Sequence, residues 1–395
     1  MSGTPLPLSH LKVLDLTRVR GGPACVRQLA DWGADVIRIE TPPGMSGDDG
    51  YTGKRHSSDF QNLHRNKRSM TLNLKSDAAK KIFAELVAQS DIVVENYRPD
   101  VKFRLGVDYE SLKAINPRII LGSLSGFGQD GPYAKRPGVD QIAQGMSGLM
   151  SVTGFPGGGP IRAGTAIGDL TGGLFLAFGL LAAVIERDRS GEGQWVQTSL
   201  LEAMIAMMDF QATRWLMDGE VPGQTGNSHP TGAATNMFPT SDGHINIAGG
   251  QPQIWPRLCE ALEAPHLLDD PDLADPVKRR DNRERVVAEI SAATVKRTSA
   301  EWVERLNDAG VPCGPIYTMD GVFADPQVQH LGMAAPVKHP ALGDIELVAQ
   351  PIHFSRAPFA IRSATPEQGQ HTDAVLAELG YDAAAIAKLH DEKAV

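Results

Sequence analysis

At 395 residues, 42% of them apolar and 22% charged, the chain exceeds one typical domain and has ample core material, so a large domain plus a smaller one is expected. A formal net charge of −9 argues against nucleic acid or an anionic membrane as a general partner, so any polyanionic ligand must be held by a local basic cluster. Three cysteines, Cys25, Cys259 and Cys313, stand without metal-ligand spacing and fit a reducing cytoplasm, and Met1 to His10 lacks the basic and apolar regions of a signal peptide.

In chain order, Lys12 to Leu16 reads as a strand, Gly21-Gly22-Pro23 as a turn, Ala24 to Trp32 as a helix ending at Gly33, and Asp35 to Glu40 as the next strand. The strand, helix, strand order recurs in Met70 to Leu74, Asp77 to Gln89 and Asp91 to Glu95, and again through the helix Tyr109 to Ile115 and the strand Arg118 to Ser123. This predicts an α/β chain with a Rossmann-like, doubly wound large domain whose ligands lie at the carboxyl ends of the strands. The loops there are Thr17 to Pro23, Thr41 to Lys67, Asn96 to Gly106 and Leu124 to Gly138. Arg65-Asn66-Lys67-Arg68 and the trio Arg98, Lys102 and Arg104 can neutralise phosphates or stand as solvated surface charge.

The apolar run Leu174 to Ile185 reads as a buried core helix too short to span a bilayer. After it come a strand, Gln194 to Ser199, a long helix, Leu201 to Met217, and a linker rich in Gly, Pro, Ser and Thr up to Thr235. The hairpin Asn236 to Ala248 and a helix around Ile254 to Leu262 then open a smaller α+β domain. Helical pattern fills Pro265 to Gly310, two β segments lie in Val337 to Gln350, and Thr372 to Leu379 is a closing helix.

The first strand is followed by Arg18-Val19-Arg20-Gly21-Gly22-Pro23, not a dinucleotide fingerprint, and there is no Walker-type loop, Gly-x-Ser-x-Gly elbow or metal spacing among the eleven histidines. No metal and no permanently bound cofactor is expected. One carboxylate, Asp169, stands at the entrance of the apolar helix within Ala163 to Gly173. It reads either as an N-cap or as a reactive group beside glycines at 168, 172 and 173 that leave the backbone open to a ligand.

The blocks Val13-Leu14-Asp15-Leu16-Thr17, Gly33 to Glu40, Asn66-Lys67-Arg68-Ser69, Val94 to Pro99, Gly126 to Pro132, Gly168-Asp169-Leu170, Gly191 to Gln194, Gly310 to Pro315 and Gly369 to Thr372 stand in one order. In that order the chain resembles the class III CoA-transferase family, over about residues 8 to 381. The resemblance implies an enzyme, expected from its cysteines to be cytoplasmic, that takes acyl-CoA as substrate and forms a homodimer of two interlocked rings. It also implies a large domain over residues 1–224, a small domain over 225–330 and a return to the large domain over 331–395.

Residue by residue, the resemblance makes Asp169 the nucleophile that carries an acyl anhydride and then a CoA thioester. It puts Asn96, Tyr97, Arg104 and Leu105 on the adenine and pantetheine, Lys67 and Arg68 near the phosphates, and Val19, Arg20 and Arg38 along the cleft. Backbone amides at the helix start, Gly168 among them, are expected to face the oxyanion. Gly249-Gly250-Gln251 match a glycine-rich closing loop. Pro137 replaces a lysine of the formyl-CoA branch, and Arg136 is the nearest substitute. The family's racemase branch needs a histidine where Val139 stands, and valine cannot carry a proton, which disfavours racemisation. A non-catalytic CoA-binding protein on the same scaffold is the remaining alternative. Arg20 and Arg162 are each expected either to hold the far carboxylate of a dicarboxylate substrate or to serve phosphate binding and structural pairing.

Overall fold

The computed structural model describes residues 5–45 and 53–395, so part of the expected ligand loop 41–67 and the first four residues lie outside the described residues. The first part of the chain runs β1 (Lys12–Asp15), α1 (Gly21–Asp31), β2 (Asp35–Glu40), α2 (Ser58–His64), β3 (Arg68–Thr71), α3 (Asp77–Ala88), β4 (Ile92–Glu95), α4 (Pro99–Leu105), α5 (Tyr109–Ile115) and β5 (Ile120–Ser125). Then follow α6 (Asp140–Met146), α7 (Leu149–Val152), α8 (Ile167–Ser190), β6 (Trp195–Ser199), α9 (Leu200–Met207) and α10 (Asp209–Asp218). These six strands form one sheet in the order β3-β2-β1-β4-β5-β6, every neighbouring pair parallel.

Alternation along the strands sends successive side chains to opposite faces, and each face has its own core. Val13, Val36, Ile92, Val94 and Ile120 point to α1 and α8, meeting Cys25, Leu29, Leu176, Leu180 and Val184. Leu14, Ile37, Val93 and Leu121 point the other way, to Ile82, Phe83 and Leu86 of α3 and Leu112 of α5. Helices therefore cover both faces, as a parallel sheet requires.

The chain divides into two compact units. One comprises residues 1–149, 162–219 and 329–395, and the other 150–161 and 220–328. The segment 150–161 joins the second unit because Gln224 Nε2 donates to Thr153 O at 2.7 Å and Gly159 O at 2.6 Å, and Gly226 N–H to Gly154 O at 2.9 Å. That unit has an antiparallel sheet, β7 (Thr235–Pro239), β8 (His244–Ala248) and β9 (Cys313–Pro315), with a separate core around Phe238, Leu258, Ile290 and Trp302. Its helices are α11 (Trp255–Ala261), α12 (His266–Asp269), α13 (Pro276–Asp281), α14 (Arg283–Thr294), α15 (Ser299–Asp308), α16 (Met319–Ala324) and, at its end, α17 (Pro326–His330). The chain returns to the first unit with the antiparallel pair β10 (Ala334–His339) and β11 (Gly343–Val348), then α18 (Thr372–Glu378) and α19 (Ala383–Asp391).

Three expectations change. The apolar helix is the 24-residue α8, long and apolar enough by composition to cross a membrane; half of that stretch is buried in the sheet core. The single helix expected over 201–217 breaks into α9 and α10 at Asp209, whose φ of 41° lies in the left-handed region. Asp169 is not a cap: Ala166 is the N-cap, and Asp169 is the third helical residue.

Candidate active site

The start of α8 is capped from outside. Asp140, in the first turn of α6, accepts from Gly168 N–H at 2.8 Å and from Asp169 N–H at 3.4 Å through the same Oδ1. Its other oxygen takes a 2.7 Å hydrogen bond from Gln144 Nε2 and lies 3.5 Å from Arg162 Nη2. Gln144 in turn accepts from Ala163 N–H and donates to Thr165 O, which ties the segment entering α8 to α6. A carboxylate at a helix N-terminus satisfies orphan donors and complements the dipole. Gly168 N–H, expected to face an oxyanion, is thus already spent on Asp140. Arg162, expected at a substrate carboxylate, is drawn to the same aspartate.

The glycines also acquire a different reason. A Cβ on Gly168 would sit 3.0 Å from Asp140 Oδ1, one on Gly172 3.0 Å from Leu200, and one on Gly173 2.5 Å from Gly21 O. All three are buried, so the space they leave is filled by protein rather than by a ligand. What this close approach achieves is to set the first turn of α1 against Asp169. A Cβ on Gly21 would lie 3.2 Å from Asp169 Oδ1. The α1 N-terminus carries no side-chain cap and no acidic residue, and Pro23 contributes no N–H, so the amides of Gly21 and Gly22 are its donors without a partner among the described residues.

Asp169 is half-buried, and its pKa is raised to about 6 by burial first and by the Asp140 charge second, with Arg20 opposing both. At neutral pH it is still mostly the carboxylate, poorly solvated and without a basic side chain clamped onto it, which is what a nucleophile requires.

A cleft of about 950 Å³ opens at the carboxyl ends of β1 to β4, lined by Val19, Asn96, Tyr97, Arg104 and Leu105, all anticipated. Its basic lining, Arg18, Arg98, Lys75 and Lys80, includes two lysines after β3 that the sequence reading missed. The signal for them was position: Lys75 in the loop after β3 and Lys80 in the first turns of α3 stand at the carboxyl end of a parallel strand, which faces the ligand side. Asn96 does more than line the wall. Its side chain accepts from Arg18 N–H at 2.8 Å and donates to Arg18 O at 2.7 Å, and so holds the β1–α1 loop. In that loop Val19 has φ 64°, strained for a β-branched residue. Gly21, beside Asp169, is two residues on, at most about 7 Å of chain from this wall of the cleft.

Four anticipated contacts, Lys67, Arg68, Arg38 and Arg20, do not line this cleft. Lys67 is fully buried, its Nζ 2.8 Å from Asp15 Oδ2 and 3.4 Å from His64 Nδ1, so it neutralises Asp15 beneath α1 and cannot reach a phosphate. Arg68 opens β3 at the amino edge of the sheet, opposite the ligand side, where it bridges Asp35 and Glu378. Arg38 is buried against Glu40 and the Phe60 ring. Arg20, in the chain between Val19 of the cleft wall and Gly21 beside Asp169, is paired with Asp59 at 2.8 Å.

The remaining candidates fall elsewhere. Gly249, Gly250 and Gln251 form the turn from β8 into α11 in the second unit, and a Cβ on Gly249 would lie 2.3 Å from Leu258 Cδ2. Val139 is the exposed N-cap of α6 and carries no titratable group. Folding also gathers His56, His339 and Glu367, with possible ligand atoms within 4.8 Å of one another. His339 Nδ1, however, accepts the N–H groups of Ala341 and Leu342, which leaves the proton on Nε2 and no lone pair there for a metal. The thiols of Cys25 and Cys259 are buried and pushed up in pKa, so they are inert packing groups.

An unencumbered carboxylate at a glycine-built helix crossing, joined to a basic cleft, is the arrangement against which the comparisons with known proteins can be set. The model of CoA-transferase family III matches residues 8–372. The chain belongs to this family. It is similar to the succinate–glutarate CoA-transferase of Agrobacterium fabrum, 38% identical over 94% of this chain and 96% of that protein. It is similar to the human succinyl-CoA:glutarate CoA-transferase, 34% identical over 97% of this chain and 88% of that one. Among solved structures, a CAIB/BAIF family protein from Brucella suis has a TM-score of 0.84 at 35% identity, covering 95% of this chain and 100% of that one. The protein of this sequence is therefore a CoA-transferase enzyme acting on acyl-CoA and carboxylate substrates.

Proposed function

We propose that this CoA-transferase moves CoA from succinyl-CoA, or a similar dicarboxylyl thioester, to a free dicarboxylate through covalent intermediates on Asp169. The observation that carries the reading is the half-buried carboxylate of Asp169 facing the uncapped first turn of α1. The carboxylate attacks the thioester carbonyl, the C–S bond breaks, and CoA leaves as thiolate from an aspartyl-acyl anhydride. The thiolate attacks the Asp169 carbonyl, releases the donor acid as a carboxylate and leaves an aspartyl-CoA thioester. An acceptor carboxylate attacks that carbonyl, expels the thiolate and forms the second anhydride. The thiolate then attacks the acceptor's carbonyl, freeing Asp169 and the new acyl-CoA.

Each tetrahedral intermediate carries an oxyanion, and the amides of Gly21 and Gly22 are the donors assigned to it, in place of Gly168. Arg18, Lys75, Lys80, Arg98 and Arg104 are assigned to the phosphates of CoA, with Val19, Asn96, Tyr97 and Leu105 along the rest of the molecule. The dicarboxylate assignment draws on Arg20 beside the nucleophile and on relatives named for succinyl, glutarate and mesaconate substrates. Val139 at the racemase histidine position and the names of the relatives both speak against proton transfer.

We also assign the enzyme to the cytoplasm, on its three free cysteines, and to a homodimer of interlocked rings. Support for the dimer is the apolar surface of α8 and α10, where Phe178 is 73% exposed, Leu216 79% and Met217 78%. Intact-mass measurement after mixing with succinyl-CoA tests the mechanism: wild type should gain the mass of CoA less water, and Asp169→Ala should not. An equal adduct on Asp169→Ala would remove Asp169 from the mechanism.

A further inference from the structure

A dicarboxylate enzyme needs a cation for the far carboxylate, and the best-placed guanidinium already holds a carboxylate of the protein. Arg20 Nη2 donates to Asp59 Oδ2 at 2.8 Å. Arg20 immediately precedes Gly21, whose backbone lies against Asp169 Oδ1. Its charge reaches the nucleophile, since it opposes the rise in the Asp169 pKa. Asp59 comes from a separate element, the first turn of α2, and its side chain is 65% exposed, whereas that of Arg20 is 30% exposed. The carboxylate is thus free to swing into water, while the guanidinium is carried by a loop fixed through Asn96 and packed α1.

We propose that Asp59 is an internal competitor for Arg20: it occupies the guanidinium in the free enzyme and yields it to the far carboxylate of a dicarboxylyl-CoA. The inference rests on the dicarboxylate reading above. The exchange replaces one ion pair by another, so no guanidinium is left bare at any stage. Asp59 uses one of the five N–H donors, which lets the incoming carboxylate engage Arg20 before Asp59 departs. A monocarboxylyl chain offers no anion, so the pair stays shut beside it, and discrimination arises from the exchange itself. Asp59 acts through Arg20, as a positioning residue whose effect falls on KM.

The test compares wild type, Asp59→Asn and Arg20→Ala in the full-length enzyme, reading kcat and KM for succinyl-CoA and the inhibition constant of butyryl-CoA, which lacks the far carboxylate. With the competitor neutralised, Asp59→Asn should lower KM for succinyl-CoA by up to about fivefold, the range of an exposed ion pair, and leave butyryl-CoA inhibition unchanged. Arg20→Ala should raise KM for succinyl-CoA alone. If Asp59→Asn leaves KM for succinyl-CoA unchanged or raises it while Arg20→Ala acts selectively, the competitor is refuted and the dicarboxylate reading stands. If Arg20→Ala affects both thioesters equally, both are refuted. The exposed position of Asp59 makes Asp59→Asn safe for folding, and an unchanged melting temperature verifies it.

Discussion

At the scale of the residue, the chemistry turns on how two aspartates share one helix end. Asp140 accepts the amides of Gly168 and Asp169 and so aims Asp169, yet its negative charge also helps to hold the Asp169 pKa at about 6. In the proposed mechanism the ionised form of Asp169 attacks, so kcat/KM should climb with pH through about 6 and level off above it. Asp140→Asn keeps an oxygen for the Gly168 amide but removes the charge. The acid limb should then move to lower pH by up to about one unit, with the cap preserved. Arg20→Ala removes an opposing charge and should move the limb the other way. A pH profile unmoved by either change would sink this account. Stability runs in the opposite sense. The folded pKa exceeds the unfolded value of 3.8, so the native state binds the proton more tightly and stability falls as pH rises from about 4 to about 6. Asp169→Asn should therefore melt higher than wild type above pH 6, by a stabilisation on the order of 1–2 kcal/mol after allowing for solvent screening, and should show little gain at pH 4.

At the scale of the element, the site is a crossing of two helices brought together by absent side chains. Gly173 of α8 lies under Gly21 O of α1, where a Cβ would come within 2.5 Å of that oxygen, 3.1 Å of Cys25 N and 3.3 Å of Ala24 Cβ. All are parts of a packed helix, so no flexible side chain can yield. Gly173→Ala should push α1 away from α8, costing ~1–3 kcal/mol by overpacking. It should also lower kcat more than it raises KM for succinyl-CoA, because the amides of Gly21 and Gly22 leave Asp169 while the cleft wall is untouched. Equal kcat for Gly173→Ala and wild type would detach the crossing from catalysis. The glycine cluster was legible in the sequence as a place where bulk is forbidden; what fills the space was not. At Gly173 the excluding atoms belong to α1, far away in the chain, and no local pattern contains them. For the same reason Asp169 looked like a cap: its type and place fit, and only the fold brings Asp140 to the job.

At the scale of the whole molecule, the strand and helix periods carried the sheet almost unaided, since alternating residues such as Val13 and Leu14 had to serve two opposite cores. Charge did not read so well. Lys67 and Arg65 are as basic in sequence as Arg18, yet Asp15 and Asp31 consume them inside the protein, and those partners lie 52 and 34 residues away. A basic cluster is a count of charges, and function depends on which remain unmatched at the surface. The apolar surface poses the same question in reverse. Phe178 and Ile185 stand exposed on α8, the helix that also carries Asp169, and Trp215, Leu216 and Met217 on α10. Leaving such side chains in water forfeits roughly 1.5–3 kcal/mol each relative to burial. The interlocked homodimer proposed above would cover them, and it would couple the helix of Asp169 to the partner. Light scattering should find wild type dimeric at all workable concentrations, as an obligate interface demands. Phe178→Glu with Leu216→Glu puts charge into that interface on exposed positions outside the chain's own core, so the double variant should emerge as a monomer or aggregate and lose transferase activity. A wild-type monomer with full activity would instead mean that this surface serves another partner.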